Sequence, residues 1–198
     1  MIPKIEFVYS WIYNEKYRTS ENIQIMLKKE NKKYPSSSKI TGYISKVEKI
    51  WRKKEKKILA KIAKIIGFKW KEEKIKCYVI GFGISFSNPL TVRLFSNTND
   101  FIDTLTHEMI HQIQSQNSNK YQKWRRYVDK AYKKETEVTK RHIFLHAVHK
   151  MVYLDLFDKK RLERNIKKDD IKPDYKRSWE IVNKEGYENI INKFKSLK

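Results

Sequence analysis

The stretch FIDTLTHEMIHQIQ, residues 101–114, places two histidines and a glutamate inside an apolar pattern that predicts a helix. Its apolar residues recur at helical spacing: Phe101, Ile102, Leu105, Met109, Ile110 and Ile113. His107 and His111 are four residues apart, so on a helix they lie about 40° apart around the axis and about 6 Å along it. Two imidazoles at that spacing can bind one Zn²⁺, and the neighbouring Glu108 can take a proton from a metal-bound water. The alternative is that both histidines are core residues bonded to backbone carbonyls.

A catalytic zinc site needs a third protein ligand and an open position for water. The metzincin form of the motif is absent, because Gln114 and Asn117 stand where that form has glycine and histidine. The remaining histidines of the chain come later and share one face of a second predicted helix: His142, His146 and His149. The third ligand is therefore expected on that second helix or just before it.

His142 is the favoured third ligand because it lies near the start of the second helix. That helix is predicted from about Lys140 to Phe157, with Thr139 as its N-cap. The rivals are Glu135 and Glu137, since a carboxylate at the helix start would also bind zinc. His146 is a further candidate for the third ligand.

The other histidines of the second helix are given supporting roles. His146, one turn after the favoured ligand, would orient a ligand from behind. His149 or Tyr153 would face the substrate and stabilise an oxyanion. The competing interpretation is a buried core stripe, because Tyr153 continues the same helix face.

The chain around these helices predicts an α+β fold. Strands are predicted at residues 2–10, 74–87 and 90–96, and helices at 20–33, 38–66, 100–116, 140–157 and 178–194, with a partly helical segment at 120–134. Gly67 is expected to end the helix at 38–66, and Asn99 to cap the helix at 100–116. One domain is predicted over 1–198, with an N-terminal part at 1–70, a catalytic core at 71–158 and a helical extension at 159–198.

The composition of the chain indicates which kinds of binding partner to expect. The chain carries 45 basic and 23 acidic residues, a net charge of +22, which favours either a polyanionic partner such as nucleic acid or a coding bias spread over the whole chain. The most suggestive basic and aromatic patch is formed by Trp124, Arg125, Arg126 and Tyr127, and a solvated helix face is the preferred interpretation of it.

No apolar run is long enough for a bilayer, and no signal peptide is recognised, so a cytoplasmic protein without a membrane partner is expected. Because Cys77 is the single cysteine, an internal disulfide is excluded. The sequence around Cys77 predicts that it is an interior residue of a strand.

The motif His107-Glu108-Met109-Ile110-His111, on a helix that follows short strands, resembles the zincin metallopeptidases. A ligand on a separate downstream helix is similar to gluzincins and their small members, the minigluzincins, which would imply Glu135 or Glu137. The motif also resembles SprT-like proteases, which use a third histidine and act on DNA-bound proteins, and this would imply His142. SprT-like domains place that histidine closer than the 31 residues found here and usually carry a cysteine zinc ribbon, which a chain with one cysteine lacks.

The resemblance covers about Tyr78 to Phe157 and implies a small mixed sheet packed against two ligand-bearing helices, with extra helices at both termini. It also implies that the strand Thr91–Phe95 lies at the sheet edge and binds an extended substrate. The expected function is a zinc metallopeptidase that cleaves a peptide or protein through a zinc-bound water activated by Glu108. The alternative is a basic nucleic-acid-binding protein in which any metal is structural. A DNA-associated SprT-like protease would combine the two functions, and an inactive zincin scaffold is the third possibility.

Overall fold

The computed structural model, which describes residues 1–197, contains four strands that form one mixed sheet. In chain order they are β1 (Lys4–Val8), β2 (Lys74–Ile80), β3 (Phe86–Ser87) and β4 (Leu90–Arg93). Their spatial order is β1-β2-β4-β3. Strand β2 is parallel to β1 and β4, and β3 runs antiparallel to β4. The sheet is therefore small and mixed.

Helices make up most of the described chain. They are α1 (Trp11–Thr19), α2 (Glu21–Lys29), α3 (Ser37–Arg52), α4 (Glu55–Ile66), α5 (Thr98–Gln116), α6 (Ser118–Ala131), α7 (Glu137–Leu156), α8 (Lys159–Asp169), α9 (Pro173–Glu185) and α10 (Tyr187–Ser196). The predicted α+β class is confirmed. Within residues 1–197, no helix combines the length and the apolar character that crossing a bilayer requires.

The chain forms two compact units. The first comprises Met1–Lys56 and Glu72–Gln112 and holds the sheet. The second comprises Lys57–Lys71 and the chain from Ile113 onward, and its described elements are helical. The single-domain organisation inferred from the sequence stays a prediction.

In the first unit, a buried amide joins α1 to the end of β2. Asn14 donates from Nδ2 to the carbonyl oxygen of Val79 at 3.1 Å, and its Oδ1 accepts from the Gly81 amide at 3.1 Å and the Tyr34 hydroxyl at 2.8 Å. Position 81 must be glycine, since a Cβ there would lie 2.7 Å from the Tyr34 ring. The interior strand position predicted for Cys77 is also confirmed, because this residue is fully buried in β2.

The prediction that Thr91–Phe95 lies at the edge of the sheet is wrong for the part of this stretch that belongs to β4. Strand β4 is internal: Thr91 and Val92 pair with β2 on one side, and β3 pairs with Leu90 and Thr91 on the other. The outer strand at this end of the sheet is β3. The sequence signal failed because a two-residue strand such as Phe86–Ser87 has no periodicity of its own.

The single helix predicted for residues 38–66 is wrong, because the structure has two helices there. Helix α3 ends at Arg52, and α4 begins at Glu55. Between them the Lys54 amide bonds to the Trp51 carbonyl at 2.8 Å, which forms a turn. The helical spacing of the apolar residues continues across this turn, so periodicity alone does not reveal the break. Gly67 ends α4 with φ 71°, as predicted.

Glu55 stabilises this break by accepting several hydrogen bonds at once. Its Oε1 accepts from the Ile5 amide at 2.8 Å and from Trp51 Nε1 at 2.9 Å, and its carboxylate forms an ion pair with Arg52 at 2.8 Å. Arg52 in turn donates to the Ile5 carbonyl at 2.7 Å. The carboxylate thus joins strand β1 to both helices.

The second unit is built around α7, which is buried along most of its length. Phe144 of α7 stacks on Phe194 of α10 with ring centroids 4.0 Å apart, and Trp124 of α6 packs against both rings. The one helix predicted at 178–194 is wrong, because α9 and α10 are separated by Gly186 with φ 85°. Helix α8 was not predicted, since its charged sequence has only a narrow apolar face.

Replacing Glu55 by alanine should lower the free energy of unfolding by about 3 kcal/mol, because the buried Trp51 and Ile5 donors and the Arg52 guanidinium lose their shared acceptor. Glu48→Ala is the matched control. Glu48 also pairs with Arg52 but is 40% exposed, so its removal should cost less than about 1 kcal/mol. Urea denaturation followed by circular dichroism measures both, and equal losses in the two variants would contradict the role given to Glu55.

Candidate metal centre

Helix α5 holds the first two histidines of the candidate site. The apolar residues of its pattern are fully buried, as predicted: Phe101, Ile102, Leu105, Met109, Ile110 and Ile113. The helix begins at Thr98, and the side chain of Asn97, not the predicted Asn99, accepts the Asn99 amide at 2.9 Å. Docking of the apolar face fixes the orientation of the remaining residues of α5.

His107 and His111 lie on successive turns of α5. Their ring centroids are 5.2 Å apart and their planes are at 71°. His107 is 8% exposed and His111 is half-buried. Glu108 lies beside them at 6% exposure. This places two imidazoles and a carboxylate on one short stretch of helix with limited access to water.

His142 is buried near the start of α7, and its tautomer follows from one hydrogen bond. Its Nδ1 is 2.7 Å from the carbonyl oxygen of Val138. Because a carbonyl oxygen only accepts, Nδ1 must carry the proton, and Nε2 then carries the lone pair that a metal needs. Tyr175 of α9 packs on the imidazole with ring centroids 4.2 Å apart. Burial lowers the pKa of His142 to about 4, so the ring is neutral near neutral pH.

The three histidines form a group suited to a metal ion. His107, His111 and His142 each offer one ligand atom, and these atoms all lie within 4.8 Å of one another. Nitrogen ligands of a tetrahedral zinc site are about 3.3 Å apart, as bond lengths of about 2.0 Å require. Three imidazoles fit zinc, and three protein ligands leave a coordination position open, as catalytic sites require.

The two carboxylate rivals are held elsewhere. The N-cap of α7 is Thr136, not the predicted Thr139, because its side chain accepts the Thr139 amide at 3.1 Å. Helix α7 therefore begins at Glu137, which is largely exposed and pairs with Lys140 at 2.5 Å. Glu135 precedes the cap and pairs with Arg177 at 2.7 Å. Neither carboxylate belongs to the histidine group.

His146 packs inside the second unit. Its ring stacks on Trp179 with centroids 4.2 Å apart and planes at 7°, and its Nδ1 is 2.6 Å from the Ser178 hydroxyl. The ring centroids of His146 and His142 are 5.4 Å apart. The orienting role given to His146 stays a prediction.

His149 and Tyr153 are also interior residues. His149 is 2% exposed, its ring meets that of Tyr153 edge-on at 4.4 Å, and burial lowers its pKa to about 3. The hydroxyl of Tyr153 accepts from Asn165 at 3.2 Å. Their suggested contact with an oxyanion stays a prediction.

Sequence reasoning missed the aromatic residues of α9 that surround the histidines of α7. Tyr175 and Trp179 are four residues apart and pack against His142 and His146, respectively. Their helical spacing is visible in the sequence, but the helix they pack against is not. In the basic patch on α6, Trp124 is buried while Arg125 and Arg126 are exposed. The choice between a solvated helix face and a nucleic-acid-binding patch stays a prediction.

Comparison with protein-family models, with curated proteins and with solved structures found no match for this chain.

Replacing His142 by alanine should lower zinc affinity more than about 100-fold, because loss of a ligand exceeds the usual effect of residues outside the ligand set. Glu135→Gln and Glu137→Gln are the matched controls and should bind zinc like the unmodified protein. Zinc titration against a competing chelator measures all three. Retained affinity in His142→Ala, with loss in either glutamine variant, would transfer the third ligand to that carboxylate.

Proposed function

We propose that this protein is a zinc-dependent metallopeptidase of zincin-like architecture. The observation that carries the proposal is the group of His107, His111 and His142, with Glu108 next to the first histidine in sequence. Three nitrogen donors suit zinc better than the hard cations Mg²⁺ and Ca²⁺, which prefer oxygen. The mixed sheet that precedes α5 supports the same assignment.

The three histidines would hold the ion, which would polarise a peptide carbonyl and make a water more acidic. The hydrogen bond from His142 Nδ1 to the Val138 carbonyl keeps Nε2 as the donor atom, so that ligand is oriented before any ion arrives.

Glu108 serves as the general base. It follows His107 by one residue, so its side chain is turned by about 100° around the helix from that ligand. It is thereby placed beside the ligands and need not bind the ion itself. Its carboxylate takes a proton from the attacking water and later gives a proton to the leaving amine, which avoids a charged leaving group.

An extended peptide would bind along the outer strand β3, not along the internal β4. Backbone hydrogen bonds to a sheet edge bind substrates with little regard to their side chains. The Gln112 side chain donates to the carbonyl of Ser87, which joins this strand to the helix that carries Glu108. The catalytic helix and the proposed substrate strand are thus connected within the first unit.

Replacing Glu108 by glutamine should leave zinc binding intact and lower peptide hydrolysis by about 10²–10⁴-fold, because the amide has the shape of the carboxylate but cannot accept a proton. Cleavage of a quenched fluorescent peptide mixture, with zinc content measured on the same samples, tests this expectation. Glu163→Gln, an exposed residue of α8, is the control for the loss of one negative charge.

Full hydrolytic activity in Glu108→Gln would refute the role of this residue. Purified protein that takes up no zinc under reducing, chelator-free conditions would refute the metallopeptidase proposal as a whole.

A further inference from the structure

The positive charge is divided unequally between the two compact units. The segments 57–71 and 113–198 contain 28 basic and 12 acidic residues, a net charge of +16, whereas the remaining segments contain 17 basic and 11 acidic residues, a net charge of +6. The two sets are similar in length. A coding bias alone would spread the charge evenly. The asymmetry instead favours a polyanion that binds the second unit.

The second unit contains a pocket that is lined in part by aromatic side chains. Its volume is about 370 Å³, which is in the range of small-ligand sites. The lining side chains come from α6 and its C-cap residue, from the end of α9 and from α10, and they include Trp124, Tyr127, Tyr132, Glu185, Asn189 and Lys193. The half-buried rings of Tyr127 and Tyr132, beside an amide and an ammonium group, suit a planar ligand that carries negative charge.

Three lysines lie near Tyr127, one of the aromatic residues that line this pocket, either in space or on the same face of α6. Lys123 and Lys130 lie four residues before and three residues after Tyr127, so they share its face of α6, and both are exposed. The ammonium group of Lys193 lies 5.0 Å from the centre of the Tyr127 ring. The carboxylate on the wall, Glu185, already accepts the Tyr132 hydroxyl at 2.6 Å.

We propose that this pocket receives a base of a single-stranded nucleic acid. The base stacks on Tyr127 in place of the Lys193 ammonium group, and stacking of a base is a stronger contact than an exposed cation–π contact. Lys193, an exposed side chain of α10, then turns to a phosphate, while Lys123 and Lys130 bind neighbouring phosphates. A duplex cannot bind in this way, because its bases are stacked inside the helix. The pocket residues are not members of the histidine group, so this binding is independent of the proposed peptidase activity.

The test measures fluorescence anisotropy of labelled oligothymidylate, oligouridylate and a duplex of equal length, with a chelator present throughout. Tyr127→Leu keeps apolar volume but removes the stacking ring, and it should weaken single-strand binding about fivefold or more. The triple variant Lys123→Gln, Lys130→Gln, Lys193→Gln should reduce the slope of log affinity against log salt concentration by about 2, as the loss of three phosphate contacts requires.

The control triple variant is Lys39→Gln, Lys46→Gln, Lys53→Gln, which removes the same charge from exposed positions of the first unit. It should retain at least half of the original affinity. Preference for either thymidylate or uridylate over the duplex supports the proposal and identifies the type of strand. The proposal would be overturned if both triple variants weakened binding equally, or if Tyr127→Leu bound the single strand as well as the unmodified protein does. Competition by polyglutamate as effective as that by unlabelled single strand would also overturn it.

Discussion

Burial of α7 on nearly all sides is the constraint on which the second unit depends. A helix enclosed by its neighbours leaves no water for polar side chains, so each polar group must be neutral or bonded within the protein. Three of the enclosed residues are histidines, and burial lowers the pKa values of His142 and His149. His142 and His146 each also direct Nδ1 at an oxygen, from Val138 and Ser178 respectively. These hydrogen-bond contacts thus reduce the free-energy cost of burying the imidazole rings of His142 and His146.

The same constraint would suit His142 to the proposed role of metal ligand. A neutral imidazole whose Nδ1 proton is already bonded presents one defined lone pair, and Tyr175 restricts rotation of the ring. An exposed histidine would have to lose rotamer and tautomer freedom when a metal binds. Burial also disfavours the protonated form that would compete with the ion. The features that make His142 look like an ordinary core residue are therefore those that would suit it to the proposed role of metal ligand.

The sequence was most informative where local geometry alone sets the outcome. The spacing of His107 and His111 and the apolar face of α5 follow from helical periodicity, and the structure retains both. The ends of the helices were less predictable, because they depend on hydrogen bonds between residues that are distant in the sequence. Glu55, for example, stabilises the break between α3 and α4 by accepting a hydrogen bond from the amide of Ile5, 50 residues away.

The start of α7 shows the same limit at a single cap. Thr136 and Thr139 are both capable N-caps by residue type. Both threonines contact Asp174, which lies on α9 and is remote in sequence. That carboxylate accepts hydrogen bonds from the two hydroxyl groups, and the Thr136 oxygen is then placed to accept the Thr139 amide. A cap chosen by tertiary contacts cannot be chosen from the sequence, and here it decides whether Glu137 lies inside the helix. It does, and Glu137 pairs with Lys140 one turn later, as the spacing favours.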